Sequence, residues 1–420
     1  DLARQTALRR GDLGELQDAW TDWLARGDES PAGTQLRAAP AAITTLLASG
    51  MLTTSAGAAQ GLPPWTAIGV TEPDPEQLLV ELLEQQPSPA STLSEWIDVA
   101  AWWGSVRSAC CDAATTSAAE QAWAMWDRID DSFNSWLKAS YGAQLQAAAS
   151  TPRGLHQVAP FLSRRVEDDA RVLLIIIDGL GFAQWARIRS ISSLQVEHST
   201  GCLAMIPTLT TVSRQAILAG TLPVDFNDTL HTTSAEPRRW NAFWVDRGLS
   251  QRDVAYHKTL GATPDDVPAL TGTAIAVVVN AVDEILHGAE VLGDPQVAAS
   301  VDLWARTGFL QRLVSDASRL GYEVWITSDH GNIPTLPGTV PREGQTVEAA
   351  GTRVRTYPNT TLRQQAAEFG TIWDPPGLTG MTLNPLFAAG RRGFHTSGVR
   401  VSHGGTSLDE VIVPFVKVTS

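Results

Sequence analysis

The chain has 420 residues, of which 43% are hydrophobic, and its net charge at pH 7 is -14. This length is enough for two or three domains with separate cores. The acidic balance works against non-specific binding of nucleic-acid backbones over the whole surface. No apolar run approaches the roughly 20 residues that span a bilayer, so we expect a soluble protein with no membrane partner.

The cysteines and the first residues bear on where the protein works. Cys110, Cys111 and Cys202 include two chain neighbours and form no C-x-x-C motif. This pattern favours neither a disulfide framework nor a thiolate zinc site, and it suits a reducing cytoplasm. The sequence begins at Asp1 with neither a methionine nor a charged and apolar leader, so we expect further sequence upstream.

Residues 1–155 are predicted to form an all-α domain of unknown role. Alanine, leucine and tryptophan recur there at helical spacing, with proline clusters between the segments. The tryptophans are predicted to pack in a helical core and not to form a platform for stacked bases. They include Trp96, Trp103, Trp123 and Trp126. A fragment that begins near Gln157 should, on this prediction, keep the following domain and its metal site.

Residues 156–420 are predicted to form an α/β domain. Short β-branched runs alternate there with helical segments, and the runs are apolar on both faces. This pattern predicts a sheet of mostly parallel strands covered by helices on both sides. The runs are residues 172–178, 274–283, 322–329 and 411–418.

The first run is followed by a glycine turn with two candidate roles. Gly179 and Gly181 give part of the dinucleotide-binding fingerprint, but Gln184 stands where the third glycine is required. Asp178, just before the turn, is unfavourable beside a bare pyrophosphate and favourable beside a cation. The turn therefore favours a metal site, and a nucleotide-binding α/β protein is the alternative.

Polar residues also follow the next two runs, at the strand ends where open α/β sheets bind ligands. Asp283 and His287 are four residues apart, the spacing that places two side chains on one helix face. Asp329 and His330 are adjacent, and Gly331 allows the backbone to turn so that both side chains face one centre. Each pair alone is also typical of a surface turn or of a half-buried histidine.

His403 precedes the last apolar run, and His395 competes with it as a candidate ligand, although no strand follows His395 directly. Carboxylate and histidine residues occur together at several predicted strand ends, and this combination predicts one metal site. Carboxylate and imidazole ligands together suit zinc or manganese. The predicted ligands are Asp178, Asp283, His287, Asp329, His330 and His403.

A row of hydroxyl residues begins a predicted amphipathic helix within residues 206–220. These hydroxyls are typical of N-capping, but a helix N-terminus also binds phosphate, and a metal-coordinated hydroxyl there becomes a nucleophile. Arg214 lies four residues after Thr210, so it should face the same way and pair with a phosphate oxygen. The hydroxyl residues are Thr208, Thr210, Thr211 and Ser213.

In order along the chain, these motifs resemble the alkaline phosphatase superfamily. The pattern Pro207-Thr208-x-Thr210 is similar to the nucleotide pyrophosphatase/phosphodiesterase branch. Residues 155–181, 207–220 and 403–414 resemble PglZ-domain proteins of bacterial BREX phage-defence systems. The resemblance covers roughly residues 155–420 and implies an alkaline-phosphatase-like sheet with an insert at about 224–270.

The resemblance also implies a site with two divalent ions, zinc or else manganese. One ion would be bound by Asp178, Thr210, Asp329 and His330, and the other by Asp283, His287 and His403. Thr210 would be the nucleophile, with Ser213 and Arg214 as further catalytic residues. Ser213 stands where the phosphodiesterase branch commonly has asparagine. At this position the chain therefore departs from the residue that would make the second contact to the negatively charged phosphate oxygen.

The expected function is that of a metal-dependent phosphohydrolase in antiviral defence. Its substrate would be a phosphodiester such as DNA or a nucleotide, and other proteins of a defence complex would be its partners. The alternative is an inert PglZ-like scaffold that binds these partners without turnover. The complete ligand set favours the enzyme, because a scaffold need not retain it.

Overall fold

The computed structural model describes residues 10–26, 30–31, 36, 43, 46, 74–114, 116–288, 293–341, 352–377 and 383–420. The chain divides into two units, residues 1–78 and 79–420. The first unit contains helix α1 (Arg10–Arg26), in which Trp20 and Trp23 are buried and pack edge to face. The rest of the predicted helical region before residue 74 lies largely outside the described residues.

Helices account for much of the described chain after α1. They are α2 (Pro75–Glu84), α3 (Leu93–Asp112), α4 (Ser117–Gln146), α5 (Val158–Glu167), α6 (Phe182–Ile191), α7 (Thr210–Ala219), α8 (Glu236–Val245), α9 (Ala281–Gly288), α10 (Asp294–Arg306), α11 (Phe309–Arg319), α12 (Thr360–Gln365) and α13 (Leu408–Val411). α3 begins at a capping box between Thr92 and Glu95. Among these described helices, none has both the length and the apolar content required to cross a bilayer.

The strands form one central sheet and two small ones. They are β1 (Arg171–Ile177), β2 (Gln195–Leu203), β3 (Val254–Thr259), β4 (Ala274–Val279), β5 (Tyr322–Thr327), β6 (Ile333–Pro337), β7 (Val354–Thr356), β8 (Thr371–Ile372), β9 (Pro385–Phe387), β10 (Arg392–Gly393), β11 (Arg400–Ser402) and β12 (Ile412–Thr419). The central order is β2-β12-β5-β1-β4-β3, and the small sheets are β10-β6-β11 and β7-β9-β8.

The central sheet confirms the predicted α/β class. β5, β1, β4 and β3 run parallel, whereas β12 is antiparallel to both of its neighbours. Every residue of β4 is buried, as is every residue of β1 after Arg171, so both faces of these strands are covered. β-branched and leucine side chains suit such fully buried strands.

The strand register brings the functional turns together. Ile176 of β1 pairs with Thr327 of β5 on one side and with Val278 of β4 on the other. Because these strands are parallel, their carboxyl ends meet at one edge of the sheet. Asp178 follows β1 at this edge, and Asp329 follows β5.

The stretch at 224–270, predicted to be an insert, contributes to the central sheet. It contains α8 and β3, and β3 pairs in parallel with β4 along its whole length. α8 contacts both β3 and α7. The segment therefore supplies the sheet's edge strand and a helix that reaches the helix bearing Thr210.

The predicted boundary at residue 155 lies inside the second unit. Trp96, Trp103 and Trp126 are buried, as predicted, but two of them also bond to the α/β part. The Nε1 atoms of Trp103 and Trp126 donate to Asp409 at 3.1 and 2.7 Å. α3 and α4 thus share a core and polar contacts with residues after 155.

We expect a fragment of residues 157–420 to lose cooperative unfolding, whereas a fragment of residues 74–420 should keep it. The shorter fragment lacks Arg107, the buried cation that pairs with Asp294 and Asp409, and breaking a buried ion pair costs about 3–5 kcal/mol. Thermal unfolding followed by circular dichroism would compare the two fragments. Equal melting temperatures would support the boundary near residue 155 instead.

Candidate metal centre

Two carboxylates and an imidazole meet at the carboxyl ends of β1 and β5. One ligand atom from each of Asp178, Asp329 and His330 lies within 4.8 Å of the others. The three side chains are buried, with at most 2% of each residue exposed. The turn that carries two of them, residues 328–332, is called the metal turn below. Its donor set is one that zinc and manganese accept.

The carboxylate oxygens of this group are only half satisfied. Asp178 Oδ2 pairs with Arg214, and Asp329 Oδ1 accepts from the backbone N–H groups of Gly179 and His330, each at 3.1 Å. Asp178 Oδ1 and Asp329 Oδ2 are buried and have no hydrogen-bond partner. Because buried polar atoms are normally paired, these two oxygens fit a bound cation.

The electrostatics of the group also fit a cation. Burial and the neighbouring Asp329 carboxylate raise the pKa of Asp178 well above its usual range. Two carboxylates this close repel each other, so the pair favours binding a proton or a metal ion. Burial lowers the pKa of His330 to about 4. Its imidazole is therefore neutral at pH 7, the form that ligates metals.

The hydroxyl of Thr210 contacts this group directly. His330 Nδ1 lies 3.0 Å from the carbonyl oxygen of Gly331, and a carbonyl only accepts, so Nδ1 carries the hydrogen. His330 Nε2 then accepts from Thr210 Oγ1 at 3.0 Å. Thr210 is the first residue of α7, and Leu209 precedes it without a side-chain cap. All four residues of the first predicted ligand group thus lie together.

The second predicted ligand group is less compact: among the described residues, Asp283, His287 and His403 do not bring three ligand atoms within 4.8 Å of one another. β4 ends before Asp283, which lies on α9 with His287 one turn later, and His287 Nε2 is 3.2 Å from Asp283 Oδ2. Asp283 Oδ1 is buried without a partner. Burial acts to raise the pKa of Asp283, but His287 and nearby imidazoles lower it to about 2.

His403 connects the two groups. Its ring stacks on that of His330, with centroids 3.8 Å apart and an angle of 7° between the rings. His403 Nδ1 lies 2.9 Å from the carbonyl oxygen of Thr208 and donates to it, so Nε2 is the ring nitrogen left to face an ion. The competing candidate, His395, instead bonds to Thr335 beside the small β10-β6-β11 sheet.

The structure gives Arg214 partners other than the predicted phosphate. Arg214 is 1% exposed, and its guanidinium pairs with Asp178 and with Glu236 Oε1, the latter at 2.8 Å. The hydroxyl of Tyr256 donates to Glu236 Oε2 at 2.6 Å. Arg214 therefore compensates the charge of Asp178, a predicted metal ligand. Sequence reasoning missed Glu236 and Tyr256, which lie in the stretch without a motif.

Ser213 and the metal turn make further contacts that shape the site. Ser213 Oγ accepts from the backbone N–H of Met205 at 3.2 Å, a bond that fixes the start of α7. Gly331 packs against the segment before β12, where an added Cβ would lie 1.9 Å from the carbonyl oxygen of Asp409. Gly331 is thus required for close approach. Its N–H donates to the carbonyl oxygen of Glu410 at 3.0 Å.

The central sheet is mostly parallel, and buried carboxylates and an imidazole lie at the carboxyl ends of its strands. Residues 155–418 match the BREX system PglZ alkaline phosphatase-like domain, so the chain belongs to the PglZ family. No curated protein sequence matches the chain.

Two solved structures show how remote the structural similarity to other proteins is. The first is murine ectonucleotide pyrophosphatase/phosphodiesterase 5, with a TM-score of 0.44 and 11% identity over 59% of this chain and 88% of that one. The second is phosphonoacetate hydrolase from Sinorhizobium meliloti 1021 in complex with phosphonoacetate. Its TM-score is 0.36, with 12% identity over 59% of this chain and 89% of that one. Similarity at this level assigns neither a substrate nor a metal.

Removing ligands should empty the two metal sites separately. We expect about two zinc ions per wild-type chain, with His330→Ala depleting the first group and both His287→Ala and His403→Ala depleting the second. Losing one protein ligand removes much of an ion's binding energy, while the other ion keeps its own ligands. Elemental analysis after zinc loading measures this. His395→Gln is the control and should retain both ions; loss of metal from this variant, or none from the others, would contradict the assignment.

Arg214→Met should lower the free energy of unfolding by about 3–5 kcal/mol, because it leaves two buried carboxylates without their cation. Urea unfolding of metal-free protein measures the change. Arg312 is the matched control, since its pair with Asp316 is largely exposed. Arg312→Met should have little effect. Equal effects of the two substitutions would show that Arg214 is not the buried counterion described above.

Proposed function

We propose that this chain is a metal-dependent phosphoesterase that cleaves phosphodiesters, as a nuclease or nucleotide phosphodiesterase, with Thr210 as its nucleophile. The proposal places it in the cytoplasm, in BREX antiviral defence, with protein partners of that system. The observation that carries it is the set of buried carboxylate oxygens without partners beside a threonine hydroxyl. An inert scaffold gains nothing from burying unpaired oxygens, because each costs about 1–3 kcal/mol.

The proposal includes two divalent ions, for which zinc is proposed and manganese is the alternative. Asp178, Thr210, Asp329 and His330 would bind one ion, and Asp283, His287 and His403 the other. When bound, such a pair supplies charge stabilisation for the attacking and leaving oxygens of an in-line displacement at phosphorus.

In this proposal Thr210 attacks the phosphorus. Its Oγ1 is 3.0 Å from a ligand nitrogen of His330, and it begins α7, whose N-terminus has no side-chain cap. A helix N-terminus binds anionic oxygens through its N–H groups and its dipole. Residues 210–218 are all buried, so packing on every side fixes the direction of this helix. Thr210 is therefore preorganised relative to the incoming phosphate.

The charge of the proposed site is balanced by a phosphodiester and exceeded by that of a monoester. Asp178, Asp283 and Asp329 are the ligand carboxylates, and the Arg214–Glu236 pair is neutral as a whole. With two divalent ions the site would carry a net charge of about +1. A phosphodiester carries one negative charge, whereas a phosphomonoester carries about -1.5 to -2 at pH 7. The acidic chain also requires a local cationic site to attract any phosphate.

Thr210→Val should lower kcat for a chromogenic phosphodiester by about a thousandfold or more, as loss of a nucleophile does in other enzymes. Valine keeps the shape and β-branching of threonine, so the fold should persist. Most of the metal should remain as well, because a neutral hydroxyl is a weaker ligand than the carboxylates and the imidazole that are left. The matched control is Thr211→Val, because Thr211 Oγ1 is buried without a partner and Thr211 is the next residue of the same helix. This variant should keep most of the activity.

The same assay separates the proposal from its rivals. Loss of activity in Thr211→Val but not in Thr210→Val would move the nucleophile by one residue. A wild-type protein that cleaves a monoester better than a diester would contradict the charge argument. A folded protein with two metal ions that cleaves neither would be the inert scaffold.

A further inference from the structure

A buried arginine from outside residues 155–418 contacts the metal turn. Arg107 lies on α3, and its guanidinium makes paired bonds to Asp294, from Nε at 2.8 Å and from Nη2 at 2.7 Å. It also donates to the carbonyl oxygen of Asn332, to Asn332 Oδ1 at 2.9 Å and to Asp409 Oδ1 at 3.0 Å. Only 1% of Arg107 is exposed. One side chain thus joins α3 to three segments that are distant in the sequence.

Asn332 connects Arg107 to the first metal group. It follows His330 by two residues and ends the metal turn. Its Nδ2 donates at 2.8 Å to the carbonyl oxygen of Gly179, the residue after Asp178. The amide of Asn332 therefore bonds to Arg107 through one atom and to the turn after β1 through the other. These bonds fix the separation between the two turns that carry the ligand carboxylates.

Asp409 connects the same helices to the opposite side of the metal turn. It accepts hydrogen bonds from Trp103 and Trp126 as well as from Arg107. The next residue, Glu410, accepts from the N–H of Gly331 in the metal turn. Contacts from α3 and α4 therefore reach the metal turn at both Gly331 and Asn332.

We infer that Arg107 is a positioning residue for the first metal group, so that α3 and α4 belong to the metal-binding unit. This inference rests on the metal-binding part of the proposed function. Lysine would carry the same charge, but its single ammonium cannot make two bonds to Asp294 and also reach both oxygens of Asn332. Residues that orient metal ligands from outside the coordination sphere typically change metal affinity by about 10–100-fold.

The test compares zinc affinity in the full chain, measured by competition with a chromophoric chelator. His287→Ala serves as the background, because it leaves the first group as the main site. In this background Arg107→Lys should weaken zinc binding at least about tenfold. The visible spectrum of bound Co²⁺ should also change, because the ligands adopt a different arrangement. Circular dichroism checks that each variant is folded.

Arg187→Lys is the matched control. Arg187 on α6 pairs with Asp302 on α10 and with Asp112 at the end of α3, so it joins neighbouring helices without contacting the metal turn. It should leave the zinc affinity and the Co²⁺ spectrum unchanged. If Arg107 only stabilised the fold, both lysine variants would lower stability and neither would change metal affinity, which would overturn the inference.

A second variant covers the case in which Arg107→Lys does not fold. Asn332→Ser removes the bond to Gly179 but leaves Arg107 paired with its two carboxylates, and it should weaken zinc binding to a similar extent. Wild-type affinity in this variant would overturn the inference, as would failure of both variants to fold. If wild-type protein binds two ions but does not hydrolyse a diester, only the proposed activity is rejected. If it binds no metal, both proposals are rejected.

Discussion

Repulsion between two buried carboxylates is the constraint on which the surrounding structure depends. The parallel register of β1 and β5 places Asp178 beside Asp329, where neither carboxylate reaches solvent. Arg214 compensates the first, and the backbone N–H groups of Gly179 and His330 compensate the second. One oxygen of each carboxylate is still left without a partner. Binding of a cation would therefore be linked to folding, since the fold keeps together charges that an ion would stabilise.

The strand ends could be predicted from the sequence because their signals are local. A fully apolar β-branched run identifies a covered strand, and the strand-end rule then points to Asp178 and Asp329. The i, i+4 spacing likewise predicted the contact between Asp283 and His287. His403 was predicted from its position before the last apolar run, whereas the structure shows that it also follows β11, a strand of a small sheet that no run in the sequence indicated.

The partners of Arg214 could not be predicted, because they depend on packing between distant segments. The residues of α7 have the pattern of an amphipathic helix with an exposed polar face, yet residues 210–218 are all buried. Apart from Thr211, their polar side chains find partners inside the protein, among them Glu236 from α8. The helical spacing of the tryptophans is ambiguous in a similar way. It is the same for helices that form a separate bundle and for a helical hairpin that packs on another domain. Arg107 was the local sign of the second arrangement, since a guanidinium on a buried helix face requires acceptors from elsewhere.

Gly331 limits how the gene for this protein varies. Any single-base missense change in a glycine codon encodes a residue with a Cβ atom, and at this position that atom would overlap the carbonyl oxygen of Asp409. The opposing group is backbone, so no change of side-chain rotamer relieves the overlap. No single-base missense change at codon 331 is therefore conservative. Each such allele is expected to lose function. A lineage that keeps the metal turn keeps this codon fixed, even where the surrounding helices diverge.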